Sequence, residues 1–258
     1  MSPHCGKRVK MTHDLKLLVT DIDGCIGMGE GRPYDLKVIL HLAEMNRAAR
    51  RGGAVPAVTL CTGRPAAYVD AMVQVLNGFL PAVFENGAGL YFPNGYRFAW
   101  HPSLGQSATK VIAQARDLLQ VGVVETEVGY FQPGKEMSLT LLAMPGYTLA
   151  DVGRAAADAL AGWGLPCRVD VSVTTVEVRF EGLDKGAGLK WLASETGYAL
   201  SNMIAVGDAE GDITFLQLAG CSAAPANADP AVKAMVDYVS PYAYERGLLD
   251  IVEWCQQG

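Results

Sequence analysis

The chain has 258 residues, half of them hydrophobic, and its 21 Lys and Arg against 27 Asp and Glu leave a net charge of −6. That length supports one large core, or a core plus a smaller second unit, and the apolar content excludes intrinsic disorder. An acidic balance argues against a nucleic-acid partner, which leaves a basic stripe, but it admits an anionic substrate held by local cations and a metal.

Residues 1–13 read as a loose leader. Lys7, Arg8 and Lys10 precede no apolar run, so they do not form a secretory signal, and Met11 offers an alternative start. No stretch reaches the roughly 20 apolar residues of a membrane helix, and no membrane partner is expected. The cysteines Cys5, Cys25, Cys61, Cys167, Cys221 and Cys255 are scattered without a C-x-x-C pair. Cys61 and Cys221 sit in apolar runs as small core residues, and the expected compartment is reducing cytoplasm.

The first strong element is an apolar run over 15–21 that ends in Asp21-Ile22-Asp23-Gly24. Continuous apolar runs of this length fit strands buried on both faces. A helix is predicted over 35–50 with Leu36, Ile39, Leu40 and Ala43 on one face, stopped by Gly52-Gly53. A strand over 57–61, a helix over 66–76, a strand over 82–85 and a hairpin over 90–98 with Pro93-Asn94-Gly95 as its turn follow. The pattern then changes to helix 106–119, strands 125–131 and 137–143, helix 149–162, and strands 167–171 and 175–180. After Gly182 the strand–helix alternation resumes, with a helix over 186–195, a strand over 203–206, a helix over 213–218, a strand over 221–224 and a helix over 231–236. The expected architecture is α/β: a doubly wound, Rossmann-like parallel core (14–95 and 182–258) carrying an inserted α+β cap (96–181).

Four acidic residues terminate two of the buried strands. Asp21 and Asp23, two apart, point to the same side of a strand at the carboxyl edge where open α/β sheets bind ligands. Asp208 and Asp212, in Gly207-Asp208-Ala209-Glu210-Gly211-Asp212, share one face where a helix begins. An Asx turn would explain the first pair and helix capping would explain Asp212, but neither explains Asp208. If the two strands are neighbours, four carboxylates converge, and a hard divalent cation such as Mg²⁺ is the natural neutraliser. Thr62-Gly63 offers a hydroxyl and N–H groups at a helix start, Arg64 follows, and Lys185 supplies a point charge. Taken singly, Lys185 is equally an ordinary surface lysine, Thr62 an ordinary cap, and Asn227 a loop Asn in an Asx turn.

In this order, Asp21-Ile22-Asp23-Gly24, Thr62-Gly63-Arg64, Lys185-Gly186 and Gly207-Asp208 with Asp212 resemble the four motifs of the haloacid dehalogenase superfamily. The insertion between Thr62 and Lys185 is similar to its type IIB cap, found in phosphoglycolate, sucrose-phosphate and Cof-type sugar phosphatases and in phosphomannomutases. The resemblance implies a phosphatase working through an aspartyl-phosphate on a small phosphorylated metabolite. Asp21 would be the nucleophile and Asp23 the acid that becomes the base, while Thr62, Gly63, Arg64 and Lys185 hold the phosphoryl group. Mg²⁺ would be bound by Asp21, the Asp23 carbonyl, Asp208 and, in support, Asp212. Asn227 matches a position near the phosphate site. Cys25 stands where the family usually has Thr, and Gly211 where many members have Asn; neither replaces a carboxylate.

A phosphomutase on the same scaffold, or a non-catalytic binding protein, is the alternative, and retention of Asp21, Asp23, Lys185 and Asp208 argues against the latter. The leaving group would meet the cap, where Lys135 is the first candidate, with Glu136, Ser138, Glu177 and Arg179, and with Asn86 and Gly87 on a core loop facing the same cleft. The sequence selects neither one phosphorylated substrate nor an oligomeric state.

Overall fold

In the computed structural model, which describes residues 15–29, 31–172 and 174–256, the chain first runs β1 (Leu17–Thr20), α1 (Leu36–Arg50), β2 (Ala57–Leu60), α2 (Ala66–Val75) and β3 (Ala82–Phe84). A hairpin of β4 (Gly89–Phe92) and β5 (Arg97–Trp100) leads to α3 (Ala108–Leu119), β6 (Gly129–Phe131), β7 (Ser138–Ala143), α4 (Leu149–Leu160), β8 (Cys167–Val171) and β9 (Val176–Phe180). The chain returns through α5 (Lys185–Thr196), β10 (Met203–Val206), α6 (Ile213–Leu216), β11 (Cys221–Ala224), α7 (Pro230–Met235), β12 (Tyr238–Val239) and α8 (Tyr244–Gln256). The leader expected over 1–13 and Cys5 lie outside the described residues.

The core sheet is parallel, in the order β12-β11-β10-β1-β2. Apart from the short edge strand β12, its strands are buried on both faces, as their apolar runs require. Leu18, Val58, Ile204 and Val206 pack on one side with residues of α1, α2 and α8. Leu17, Val19, Ala57, Met203 and Ala205 pack on the other with residues of α5, α6 and α7. A bridge between Cys61 and Val83 continues the sheet to β3, which opens the antiparallel set β3-β4-β5. The inserted unit is a four-stranded antiparallel sheet in the order β6-β7-β9-β8, with α3 and α4 packed into its own apolar core. Along β9 the side chains of Val176, Val178 and Phe180 are buried while Glu177 and Arg179 are less so, which is the period-2 pattern of a sheet covered on one face. This is the doubly wound core with an inserted α+β cap expected from the sequence.

Local readings differ from the structure in four places. The face of α1 is rotated: Val38, Ile39, Leu42, Met45 and Asn46 are buried, whereas Leu36 and Leu40 are 77% and 58% exposed. The strand expected over 125–131 keeps only β6, because α3 runs on through a π-helical turn over Gln120–Val124, and the Thr126 hydroxyl donates to the Gly122 and Val123 carbonyls at 3.0 and 3.1 Å. The helix α8 has no counterpart in the sequence reading. The expected cap boundary at Tyr96 falls inside the hairpin, since β5 pairs along β4 from Arg97 to Trp100.

Asn46 is buried among apolar residues because its amide joins two elements. It donates to the Leu76 carbonyl at 3.0 Å and accepts from the Val58 N–H at 2.8 Å, tying α1 to the end of α2 and to β2. Asn46→Leu keeps the branched shape but strands both buried backbone groups. Urea unfolding of that variant is expected to show a loss of about 2–4 kcal/mol.

Candidate active site

The parallel register of β1 and β10 sets Thr20 against Val206, so the next residues of both strands emerge together at the carboxyl edge. The Asp21 N–H donates to the Val206 carbonyl at 2.9 Å, continuing the ladder one step past the strand. One oxygen of each of Asp21, Asp208 and Asp212 can be found within 4.8 Å of the others. The buried Lys185, first residue of α5, lies between them: its Nζ is 2.9 Å from Asp21 Oδ2 and 2.5 Å from Asp212 Oδ1. Asp212 is held from behind, because its Oδ2 accepts the N–H groups of Asp208 and Ala209 at 2.9 and 3.0 Å. Gly24 has φ +80°, and a Cβ there would lie 2.0 Å from Asp208 Oδ2. Only glycine lets the turn after β1 come that close to the second acidic loop.

Electrostatics mark this as an ion site. Burial raises Asp21, Lys185 lowers it, and Asp212 and Asp23 raise it again, for a net position of about 7. Burial, then Asp21 and Asp212, push Asp208 up to about 8. Burial alone would lower Lys185, but Asp21 and Asp212 hold it well above the usual lysine range. Three carboxylates therefore face one ammonium. Among the described residues Asp208 has only weak donors of its own, the Cys25 thiol at 4.0 Å and Asn227 Nδ2 at 3.3 Å. Hard oxygen donors with spare lone pairs and surplus negative charge fit Mg²⁺: Asp21 and Asp208 could hold it directly, with Asp212 orienting the loop.

The fourth carboxylate is elsewhere. The sequence reading had all four converging, but Asp23 is turned to Arg64, whose Nε and Nη2 donate to its two oxygens at 2.7 and 2.6 Å. A bidentate guanidinium pair is geometrically specific, and it competes successfully with the acidic cluster for this side chain. Arg64 also lies over the Tyr68 ring, 4.7 Å from its centre. Thr62 is buried, its Oγ1 accepts the Arg64 N–H at 3.2 Å, and its carbonyl accepts the Asn86 N–H at 3.0 Å. Asn86 packs on Gly63, where a Cβ would sit 2.9 Å from Asn86 Oδ1. Asn227 bridges Gly24 and Asp208: Nδ2 donates to the Gly24 carbonyl at 3.0 Å, while Oδ1 accepts the Tyr244 N–H at 2.6 Å.

The cap residues divide. Lys135 is buried with its Nζ 3.5 Å from both oxygens of Glu177, and Glu177 also accepts from Asn86 at 3.4 Å and from Thr140 Oγ1 at 2.9 Å. Arg179 does not join them; it donates to Asp170 at 2.8 Å along the sheet. Glu136 has an exposed side chain, and both it and Ser138 give their backbone N–H groups to Glu85, at 2.9 and 2.8 Å. Gly87 is packed on the start of α5, where a Cβ would lie 2.0 Å from the Asp184 carbonyl. Glu85 was missed in the sequence, where an acid closing an apolar strand before Asn-Gly reads as a turn residue. It also takes the Met137 N–H at 2.8 Å, and burial raises its pKa although these N–H groups lower it. Among the departures from the expected motifs, Gly211 faces open space, and burial, then Asp208, hold the Cys25 thiol well above its usual range.

An α/β core with acids at the carboxyl ends of two adjacent strands, a buried lysine between them and a cap over the cleft defines a hydrolase of phosphorylated compounds. A family model described as haloacid dehalogenase-like hydrolase matches residues 169–252. The phosphoglycolate phosphatase of Methanothermobacter thermautotrophicus is 37% identical over 238 residues, covering 92% of this chain and 97% of that one. The crystal structure of protein 0175 of Thermoplasma acidophilum superposes with a TM-score of 0.71 at 21% identity, over 95% of this chain and 99% of that one. A sugar phosphatase of haloacid dehalogenase subclass IIB superposes with a TM-score of 0.66 at 18% identity, over 93% and 99%. The chain belongs to the haloacid dehalogenase-like hydrolases, among their phosphatases.

Asp21 and Asp208 carry pKa values of about 7 and about 8 in the folded protein, above the ordinary 3.8. The native state thus keeps protons that the unfolded chain releases, and metal-free stability falls as pH rises from about 4 to about 8. A bound cation replaces those protons. Added Mg²⁺ is therefore expected to raise the melting temperature more near pH 8 than near pH 5.5, as differential scanning fluorimetry will show, and EDTA should reverse the gain.

Proposed function

We propose that the protein is a Mg²⁺-dependent phosphomonoester hydrolase that works through an aspartyl-phosphate on a small sugar phosphate or phosphoglycolate-like acid. The observation that carries this reading is Asp21, buried at the carboxyl end of β1, paired with Lys185 and beside Asp208, with Asp23 two residues on. The 37% identical relative named phosphoglycolate phosphatase supports the acid end of the substrate range.

In the first displacement an Asp21 oxygen attacks phosphorus, the bond from phosphorus to the leaving oxygen breaks, and Asp23 gives that oxygen its proton. In the second, water attacks the phosphorus of the acyl phosphate, Asp23 takes the water proton, and the phosphorus–Asp21 bond breaks to release inorganic phosphate. Lys185, the Thr62 hydroxyl and the Gly63 N–H hold the phosphoryl oxygens, and Arg64 and Asn227 order the residues around them. Bound Mg²⁺ supplies charge neutralisation between the carboxylates and the phosphoryl group. Asp23 needs its proton for the first step, so its pairing with Arg64 belongs to the resting site, and an arriving phosphate would draw the guanidinium away.

No helix among the described residues is long and apolar enough to cross a membrane, and Cys25, Cys61, Cys167 and Cys255 are thiols outside any disulfide. These thiols support a reducing, cytoplasmic setting.

Steady release of inorganic phosphate without a bisphosphate activator is the expected result of a Mg²⁺-containing metabolite screen; transfer back to the substrate without release would make the protein a mutase. Asp21→Asn should lower phosphate release by about 10³-fold or more while leaving the melting temperature at or above that of the parent, since one crowded charge is gone. Near-parental turnover in that variant would remove Asp21 from its role.

A further inference from the structure

Lys135 is a buried cation without a tight partner. Its side chain is 2% exposed, yet among the described residues its ammonium meets only Glu177, at 3.5 Å from each oxygen. A charge-assisted N–H···O bond is normally 2.7–2.9 Å, and an ammonium carries three donors. Glu177 is better engaged by Thr140 at 2.9 Å. Glu85, the other acid whose charge acts on Lys135, has its oxygens filled by the N–H groups of Glu136, Met137 and Ser138. A buried ammonium left with spare donors is costly unless something occupies them.

The structure also aims this lysine. On one side, Gly134 packs on Pro65, directly after Arg64, with φ +88° and Pro65 carbons 3.5 Å from where a Cβ would stand. On the other, residues 136–138 are pinned to Glu85, whose own N–H donates to the Arg64 carbonyl at 3.0 Å. From behind, Arg116 donates to the Lys135 carbonyl at 2.9 Å. Glu177 reaches Asn86, which lies against Gly63, so the cluster abuts the loop proposed to hold the phosphate. The other two cations of the cleft are committed, Lys185 to Asp21 and Asp212, and Arg64 to both oxygens of Asp23.

We propose that Lys135 is the recognition point for a carboxylate on the leaving group, so that the preferred substrates are short phosphorylated hydroxy acids. Glu177 balances the ammonium while the site is empty, and its loose contact yields to the substrate carboxylate. A neutral sugar would gain little from a buried ammonium. This assignment rests on the phosphatase reading and narrows its substrate.

The test compares 2-phosphoglycolate with 2-hydroxyethyl phosphate, which replaces the carboxylate by a neutral alcohol. The parent should prefer the acid in kcat/KM, and Lys135→Met should shrink that preference by roughly 10- to 100-fold, mainly through KM. Lys135→Arg, which keeps the charge, should retain most of the preference and guards against a variant that only misfolds. Equal preference in parent and Lys135→Met, or no preference in the parent, overturns the assignment of Lys135 while leaving the phosphatase reading intact. Hydrolysis of neither compound, nor of any metabolite in the wider screen, would overturn the phosphatase reading itself.

Discussion

Everything at the cleft depends on one buried ion cluster, in which the ammonium of Lys185 lies between Asp21 and Asp212. Three carboxylates that crowd within 4.8 Å would repel each other strongly in a low-dielectric interior, and one lysine cannot neutralise them all. Parallel pairing of β1 with β10 makes the crowding unavoidable, because it delivers Asp21 and the Gly207-Asp208 loop to the same edge. The surrounding residues reduce its cost one bond at a time. Backbone N–H groups fix Asp212, Ile22 donates to Asp21 at 2.7 Å, and Gly24 gives up a side chain so that the loops can touch. What remains is a deficit of positive charge, which is the property a divalent cation and a phosphate require together.

The second constraint is the link between core and cap. Glu85 and Asn86 have φ of +49° and +55°, and Gly87 follows at +96°, so three successive residues lie in the left-handed region. For two non-glycine residues that conformation is strained, and the surroundings must over-determine it. They do: Glu85 accepts three cap N–H groups, Asn86 donates its N–H to Thr62, and Gly87 is packed on the start of α5. This one loop therefore touches the motif loops after β2 and before α5 as well as the cap segment that leads into β7. The strain is placed where three parts of the site must agree.

Asp21 and Asp208, the acids proposed to form the site, were legible in the sequence because each closes a short apolar run together with a second acid nearby, and paired acids at the ends of two buried strands leave few structural explanations. The architecture was legible for a related reason: strands buried on both faces, and strands with one face covered, carry different periods, as Leu17–Thr20 and Val176–Phe180 illustrate. The orientation of α1 was not, since Leu36 and Leu40 offer an apolar stripe that competes with the true one, and a buried Asn46 weakens the latter. The helix α8 begins at Tyr244, whose backbone N–H is tied to Asn227, so its start depends on a tertiary contact. Glu85 and the pairing of Arg64 with Asp23 depend on loops distant in the chain, and no local pattern carries them.

Among the described residues three cations of the cleft are paired with acids, and the lengths of those contacts order their roles. Lys185 is bound at 2.5 and 2.9 Å, Arg64 at 2.6 and 2.7 Å, and Lys135 at 3.5 Å. In a protein of net charge −6, such pairing keeps the cleft from repelling anions outright. A substrate with both a phosphate and a carboxylate must then be accepted by exchange of partners. The loosest pair changes partner at least cost, the exposed edge of the Arg64 pair comes next, and the Lys185 cluster, whose acids include the reacting group of the proposed mechanism, stays assembled. In the proposed substrate pose tightness increases from the leaving-group end toward the phosphorus, so binding energy gathered at the cap would be available to disturb the Asp23 pairing where the proposed mechanism has Asp23 release its proton.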